Sequence, residues 1–394
     1  MHSGGHGTVV EEHFQPRVET AWQPSRIDGL DLARAIALMG MVLVNYKAYM
    51  QVGTLSPLWL NSLVDFIFGR AATVFVILAG ISVTLIFRRT GSPGSGNGFR
   101  RYLLRRGILL LAAGSCLWHW WAADVLHFYA LYIALGAFLV AWPERRLWLL
   151  TIVIALISLP VCAQLTVIYD FGDHLAGLDG RAWGLRLAAD YLVSNYYPVF
   201  PWFGYFLVGL LLGRREPVNR SFHWRLLLTG LIICTIVETI SAGVLTWLDQ
   251  QDVEVQGHWG LAFLRSEAFP VTPLFVISSG AGGLAVIGLC RLAAAWVGRS
   301  PFVFPLYCFG KLSLTLYVGH LLWAFGFVFG IEALGGHVGQ IEMFASVGVF
   351  CLAGIGFAMV WCRYFKRGPL ETLFYRIAHL EWNRPRPMVT LPEA

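Results

Sequence analysis

The chain has 394 residues, of which 57% are hydrophobic and only 13% charged, with a formal net charge of +6. About a quarter of a soluble domain is charged, so this balance excludes an ordinary water-soluble enzyme and points to lipid surroundings. The 16 Trp and 14 Tyr suit the membrane–water boundary. The basic residues lie in short segments between apolar runs and not on one soluble face, so they read as an orientation signal, and a nucleic-acid partner is not expected.

Residues 1–25 are polar and lack an apolar core, which predicts a cytoplasmic tail without a cleavable signal. A spanning helix needs about 20 apolar residues. On that measure the chain reads as an all-α polytopic membrane bundle with ten candidate spans, at about 30–50, 68–88, 104–121, 124–142, 147–168, 194–213, 224–247, 272–290, 312–330 and 343–363. The amphipathic piece Leu58 to Phe68 either lies at the interface or joins the second span. The run "TGSPGSGNG" (90–98) predicts a flexible cytoplasmic linker. The longer outward segments, 169–193 and 249–271, have helical periodicity and aromatic content, as expected of short interfacial helices placed as a lid. No internal repeat is evident, so residues 26–376 form one membrane domain and 377–394 a second cytoplasmic tail.

Arginines set the orientation. Arg88, Arg89, Arg100, Arg101, Arg105 and Arg106 follow the second span. Arg145 and Arg146, Arg214 and Arg215, Arg291 and Arg299, and finally Arg363, Lys366 and Arg367 mark later junctions on the same side. The opposite segments carry Asp124, Asp170, Asp173, Asp179, Asp249, Asp252, Glu254 and Glu332. The positive-inside rule then places both termini in the cytoplasm, and a bacterial inner (plasma) membrane is the expected location. The 7 cysteines lack CxxC spacing and fall in or beside apolar runs, so neither a disulfide framework nor a metal site is expected.

Ionisable groups at membrane depth are costly and mark sites or pathways. In "DGLDLARAIALMGMVLVNYK" (28–47), Asp31 and Arg34 share one face of the first helix. They form a local pair, or Arg34 faces an anionic ligand. Asn45 is eleven residues further on, about 16 Å higher on roughly the same face. Asp124 and His127 stand at i and i+3, a spacing at which a carboxylate orients an imidazole for proton transfer. The bland alternative is a histidine satisfied at the interface. Trp118, His119, Trp120 and Trp121 read as an aromatic belt, or as a platform for the apolar face of a sugar. Glu238 lies well inside the seventh span and needs a partner. His320 is near the middle of the ninth, where a proton relay and a polar helix contact are both open. Tyr196, Tyr197 and Trp202 surround two prolines in "SNYYPVFPWFGYF", which predicts a kinked or re-entrant entry.

The run "RIDGLDLARAIALMGMVLVNY" resembles the first helix of the membrane acyltransferase superfamily, with its YeiB-like and heparan-alpha-glucosaminide N-acetyltransferase branches nearest. "FGRAATVFVILAGISVTLIFRR", "ADVLHFYALYIALG", "FPWFGYFLVGLLLGR" and "KRGPLETLFYR" resemble later pieces, so the likeness extends over residues 26 to 376. It implies an acyltransferase that moves an acyl group, typically acetyl from acetyl-CoA, to a hydroxyl or amine of a sugar or lipid-linked acceptor. Donor contacts are then expected from Arg34, Asp31, Arg70 and Lys311. Catalysis is expected from His127, Asn45 and Asp124, with Asn45 polarising the carbonyl. Acceptor contacts are expected from Trp118, Trp121, Trp202, Glu238 and His320. Membrane lipids surround the protein, and homo-oligomers are compatible with this reading.

The chain departs from the family pattern at the base. The O-acyltransferases place a histidine eleven residues after the first-helix arginine, where Asn45 stands. The N-acetyltransferases carry theirs in the segment just beyond, which here reads "AYMQVGTLSPLW". Either His127 or His320 takes the role, or the activity differs. A proton-coupled transporter using Asp31, Glu238 and His320 and a non-catalytic scaffold are the alternatives.

Overall fold

The computed structural model describes residues 28–90, 96–118, 120–121, 123–167, 192, 196–215, 219–251, 261, 264–269, 271–297, 300–333 and 336–379. The expected N-terminal tail, residues 380–394 of the C-terminal one, residues 91–95 of the linker, His119 and most of the two outward segments lie outside them. Among the described residues the chain forms thirteen helices and an isolated bridge between Ala268 and Val271. They are α1 (Asp28–Tyr49), α2 (Leu58–Ile67), α3 (Arg70–Thr90), α4 (Gly96–Trp118), α5 (Leu126–Leu139), α6 (Glu144–Val167) and α7 (Val199–Arg215). There follow α8 (Arg220–Gln250), α9 (Pro273–Val297), α10 (Phe304–Lys311), α11 (Ser313–Ala333), α12 (Gln340–Tyr364) and α13 (Pro369–Ala378).

Among the described residues, six stretches are long and apolar enough to cross a bilayer: Gly29–Tyr49, Leu58–Arg89, Arg220–Gln250, Pro273–Val297, Ser313–Ala333 and Gln340–Tyr364. Inside hydrocarbon a chain must satisfy its backbone groups within itself, which helices do. The other four expected spans are helical as α4 to α7 but stand outside that set; α5 has 14 residues and α7 has 17.

α1 is the axis. Leu30, Ala33, Ala35, Leu38, Val42 and Tyr46 are all buried, and α3, α9, α10, α11 and α12 pack around it. Small residues at these contacts let backbones approach closely, which is how helices gain packing energy where lipid removes the hydrophobic drive. α8 rests chiefly on α9 and turns much of its surface outward. At the entry to α7 the chain leaves helical geometry at Phe200 (φ −98, ψ 112). A following proline disfavours the α region, and the expected kink is present.

Two features aim the site. α10 approaches α1 so closely that a Cβ on Gly310 would lie 1.8 Å from the Asp31 carbonyl oxygen. Glu371 of α13 then caps the start of α11. It accepts from the backbone N–H of Leu314 (2.8 Å) and Thr315 (3.1 Å), and from the Thr315 hydroxyl (2.5 Å). These are donors that a helix start leaves open, and the carboxylate also suits the positive end of the helix dipole. The break at Leu312 is therefore held from both sides. Gly310→Ala is expected to force α10 off α1, destabilising the protein by about 1–3 kcal/mol; a thermal melt in detergent that matches wild type would show that the close contact is not required.

Candidate functional site

The turn between α4 and α5 is built around Asp124, which is completely buried. Its Oδ2 accepts from the Leu126 N–H at 2.9 Å and the His127 N–H at 3.4 Å, and lies 3.1 Å from His127 Nδ1. The carboxylate thus meets the open donors of the first turn of α5 and orients the imidazole. Gly114 of α4 makes room: a Cβ there would sit 2.6 Å from Asp124 Oδ2 and 2.7 Å from the His127 nitrogen. The Trp118 ring stands edge-on to the His127 ring with centroids 4.8 Å apart.

Tyr317 of α11 links this pair to the rest. Its hydroxyl donates to Asp124 Oδ1 at 3.1 Å and accepts from the Val125 N–H at 3.3 Å. One turn later, His320 Nδ1 hydrogen-bonds the Tyr317 carbonyl oxygen, and its Nε2 lies 3.1 Å from Asn45 Nδ2. A nitrogen facing a carbonyl must carry the proton, so Nε2 is the acceptor and the Asn45 amide donates to it. The Tyr46 hydroxyl donates to the His320 carbonyl at 3.1 Å. Asn45, His320, Tyr317, Asp124 and His127 form one buried polar chain across α1, α11 and α5. The two histidines that stood as rival bases are its two imidazoles. Tyr317 was missed in sequence, although its place three residues before His320 puts both on one helix face.

Below this chain lies a narrow cavity of about 120 Å³. Val125, Leu126, Tyr129 and Tyr317 line it beside the Asp124 turn, and Met41, Phe75, Leu78 and Leu110 make its walls apolar. Arg34 and Arg106 line it too. Arg34 hydrogen-bonds Asp31 and donates to the Ser82 hydroxyl at 2.8 Å, tying α1 to α3. Ile86, Arg106 and Leu314 also border a second, wider space of about 490 Å³. This vestibule holds Arg89, Arg106, Lys311, Lys366 and Arg367 against Asp31 and Glu371. Arg106 Nε is buried and, among the described residues, has no hydrogen-bond partner. Tyr102, Tyr375 and His379 add a cluster of rings, with His379 centroids 4.4 Å from Tyr102 and 3.9 Å from Tyr375. Burial, joined by the Arg367 charge, holds the His379 imidazole below the usual histidine range.

The structure thus gathers Asp31, Arg34 and Lys311 at one end and Asn45, Asp124, His127, His320 and Trp118 at the other. Trp121 stays near, its ring 5.7 Å from that of Tyr49. Three expected site residues sit elsewhere. Arg70 opens α3 at the end opposite Ser82 and pairs with Glu238; Ser266 (2.7 Å) and Ser278 also donate to that carboxylate. Glu238 has the partner its depth demands, and neither it nor Arg70 lines the cavity or the vestibule. Trp202 is 1% exposed among Tyr197, Tyr205 and Phe275. Tyr317→Phe leaves Asp124 Oδ1 without its phenol donor and is expected to destabilise by about 1–3 kcal/mol, read as a lowered melting temperature; an unchanged melt would mean that this link contributes nothing.

Residues 26–231 match the family model described as heparan-alpha-glucosaminide N-acetyltransferase, catalytic, and residues 212–381 match one described as a protein of unknown function (DUF418). The uncharacterized protein YeiB of Escherichia coli (strain K12) is 24% identical over 397 aligned positions, covering 88% of this chain and 95% of the relative. Asn45, Asp124 and His127 lie in the first matched segment, Tyr317 and His320 in the second. With its apolar helices and a family match over more than half its length, the chain is an integral membrane protein that belongs to the heparan-alpha-glucosaminide N-acetyltransferase catalytic family.

Proposed function

We propose that the protein is an acyltransferase that takes an acyl group, most simply acetyl, from cytoplasmic acyl-CoA and delivers it to a hydroxyl or amine of a sugar or lipid-linked acceptor. The observation that carries this reading is that Ile86, Arg106 and Leu314 border both a cationic vestibule and an apolar cavity lined beside the Asp124 turn. Coenzyme A has the matching polarity: phosphates and a flat base at one end, a slender thioester arm at the other. Arg89, Arg106, Lys366 and Arg367 suit the phosphates, and the rings of Tyr102, Tyr375 and His379 suit the base. The buried, unmet Nε–H of Arg106 fits an incoming acceptor atom at the neck.

In this scheme the chain crosses a plasma membrane ten times, through α1, α3 to α9, α11 and α12, with both termini in the cytoplasm. His127, oriented by Asp124, takes the proton of the acceptor nucleophile as its new bond to the acyl carbon forms. The carbon–sulfur bond then breaks, and the His127 imidazolium returns that proton to the CoA sulfur, which leaves as the thiol. Trp118, edge-on to His127, offers an apolar ring to an arriving acceptor. His320 and Asn45 hold Tyr317, and through it Asp124, in register.

Acetyl-CoA is expected to raise the melting temperature of the purified protein; at a hundredfold excess over Kd the gain is about 2.7 kcal/mol. Arg367→Glu and Lys366→Glu are expected to weaken that protection and flatten its salt dependence. Full protection in both variants would place the nucleotide elsewhere. His127→Ala is expected to keep donor binding and lose transfer by about 10²–10⁴-fold, measured as release of free CoA with sugar or lipid acceptors. Wild-type turnover in that variant would remove His127 from the chemistry.

A further inference from the structure

The cavity carries a buried polar atom that neither the packing nor the polar chain uses. Tyr129 lines it from α5, and its hydroxyl is buried without a hydrogen-bond partner among the described residues. Buried tyrosine hydroxyls usually find one. Tyr132, three residues along the same helix, does so by donating to the Tyr197 carbonyl at 2.7 Å. Lining the cavity close to the Asp124 turn, Tyr129 has an unfilled capacity to donate beside the space that a ligand would occupy.

Acyl transfer needs such a donor. As the nucleophile adds, the thioester oxygen gains negative charge, and a fixed O–H or N–H aimed at it stabilises that charge strongly in a dry site. Asn45 was the sequence candidate, but its amide is directed at His320 Nε2 and it does not line the cavity. Resting on the acyl-CoA reading above, we infer that Tyr129 is a catalytic residue that donates its phenol hydrogen bond to the thioester carbonyl oxygen. The hydrogen stays on Tyr129 throughout: the oxygen's charge builds as the new acyl bond forms and is lost as the carbon–sulfur bond breaks.

The probe is acetyl-CoA labelled with carbon-13 at the thioester carbonyl, bound to the purified full-length protein and read by infrared difference spectroscopy. In wild type the carbonyl band moves to lower frequency on binding. In Tyr129→Phe it returns toward the unbonded position, while affinity stays within about tenfold of wild type. A difluorotyrosine at position 129, of nearly the same shape and more acidic, moves the band lower still, so the test survives if the phenylalanine variant does not fold. Bound label with the same band in wild type and Tyr129→Phe overturns the role of Tyr129 and leaves the acyl-CoA reading standing. Absence of acetyl-CoA binding to wild type overturns both.

Discussion

Polar side chains buried in an apolar bundle must satisfy one another, and the rest of this structure follows from how five of them do so. Asn45, His320, Tyr317, Asp124 and His127 come from three helices and the turn before one of them, distant in sequence, yet hydrogen bonds link them in series. An unmet buried donor or acceptor loses its hydration without return, more so for a carboxylate. Asp124 avoids that loss twice: one oxygen takes the amide hydrogens of its own turn, the other the Tyr317 phenol. The same bonds fix the tautomer of His320 and the ring plane of His127. A site whose geometry is set by the need to neutralise its own polar groups is preorganised before any ligand arrives.

That chain requires α11 to start at the correct depth, and this explains the break at Leu312. An unbroken helix from Phe304 would carry Tyr317 along a different line. Gly310 pins the short α10 against the base of α1, and Glu371 supplies the acceptor that the restarted helix needs. Glu371 also borders the vestibule, together with Lys366, Arg367 and His379 around α13. The helix cap and the cationic entrance are therefore parts of one element. α13 thus borders the vestibule and, through its bonds to Leu314 and Thr315, supports the helix that carries Tyr317.

Much of the helical architecture was legible in sequence, because lipid imposes length and apolarity on each span. The pairing of Asp31 with Arg34 and of Asp124 with His127 was legible for a related reason: both are three residues apart on one helix or turn. Contacts between helices carry no such local mark. Nothing in "LYVGH" says that Tyr317 meets Asp124, 193 residues away, or that His320 meets Asn45, 275 residues away. Nor does the sequence say that Arg70, grouped with the donor contacts, pairs with Glu238, or that Trp202, grouped with the acceptor contacts, is packed among aromatic rings. Arg106 and Tyr129 passed unnoticed because one resembled an orientation signal and the other a membrane tyrosine.

The division of the chain between two family models bears on how the site works. The first model ends at residue 231 and the second begins at residue 212, so the boundary falls between the helices that supply the polar chain. The N-terminal segment contributes a carboxylate–imidazole pair and an amide that do not reach each other. The C-terminal segment contributes a tyrosine and a histidine one turn apart on α11. Only when α11 docks against α1 and the Asp124 turn do Asn45 and the second oxygen of Asp124 meet His320 and Tyr317. Site assembly and helix docking are therefore a single event: each bond that completes the polar chain also removes an unmet polar group from the bundle interior. An alternative α11 register, moving Tyr317 and His320 by one residue, turns both side chains by about 100° and separates both contacts together. The polar chain thereby specifies the packing of the bundle as well as aligning the imidazole, and it makes selection for a stable fold and selection for an ordered site act on the same residues.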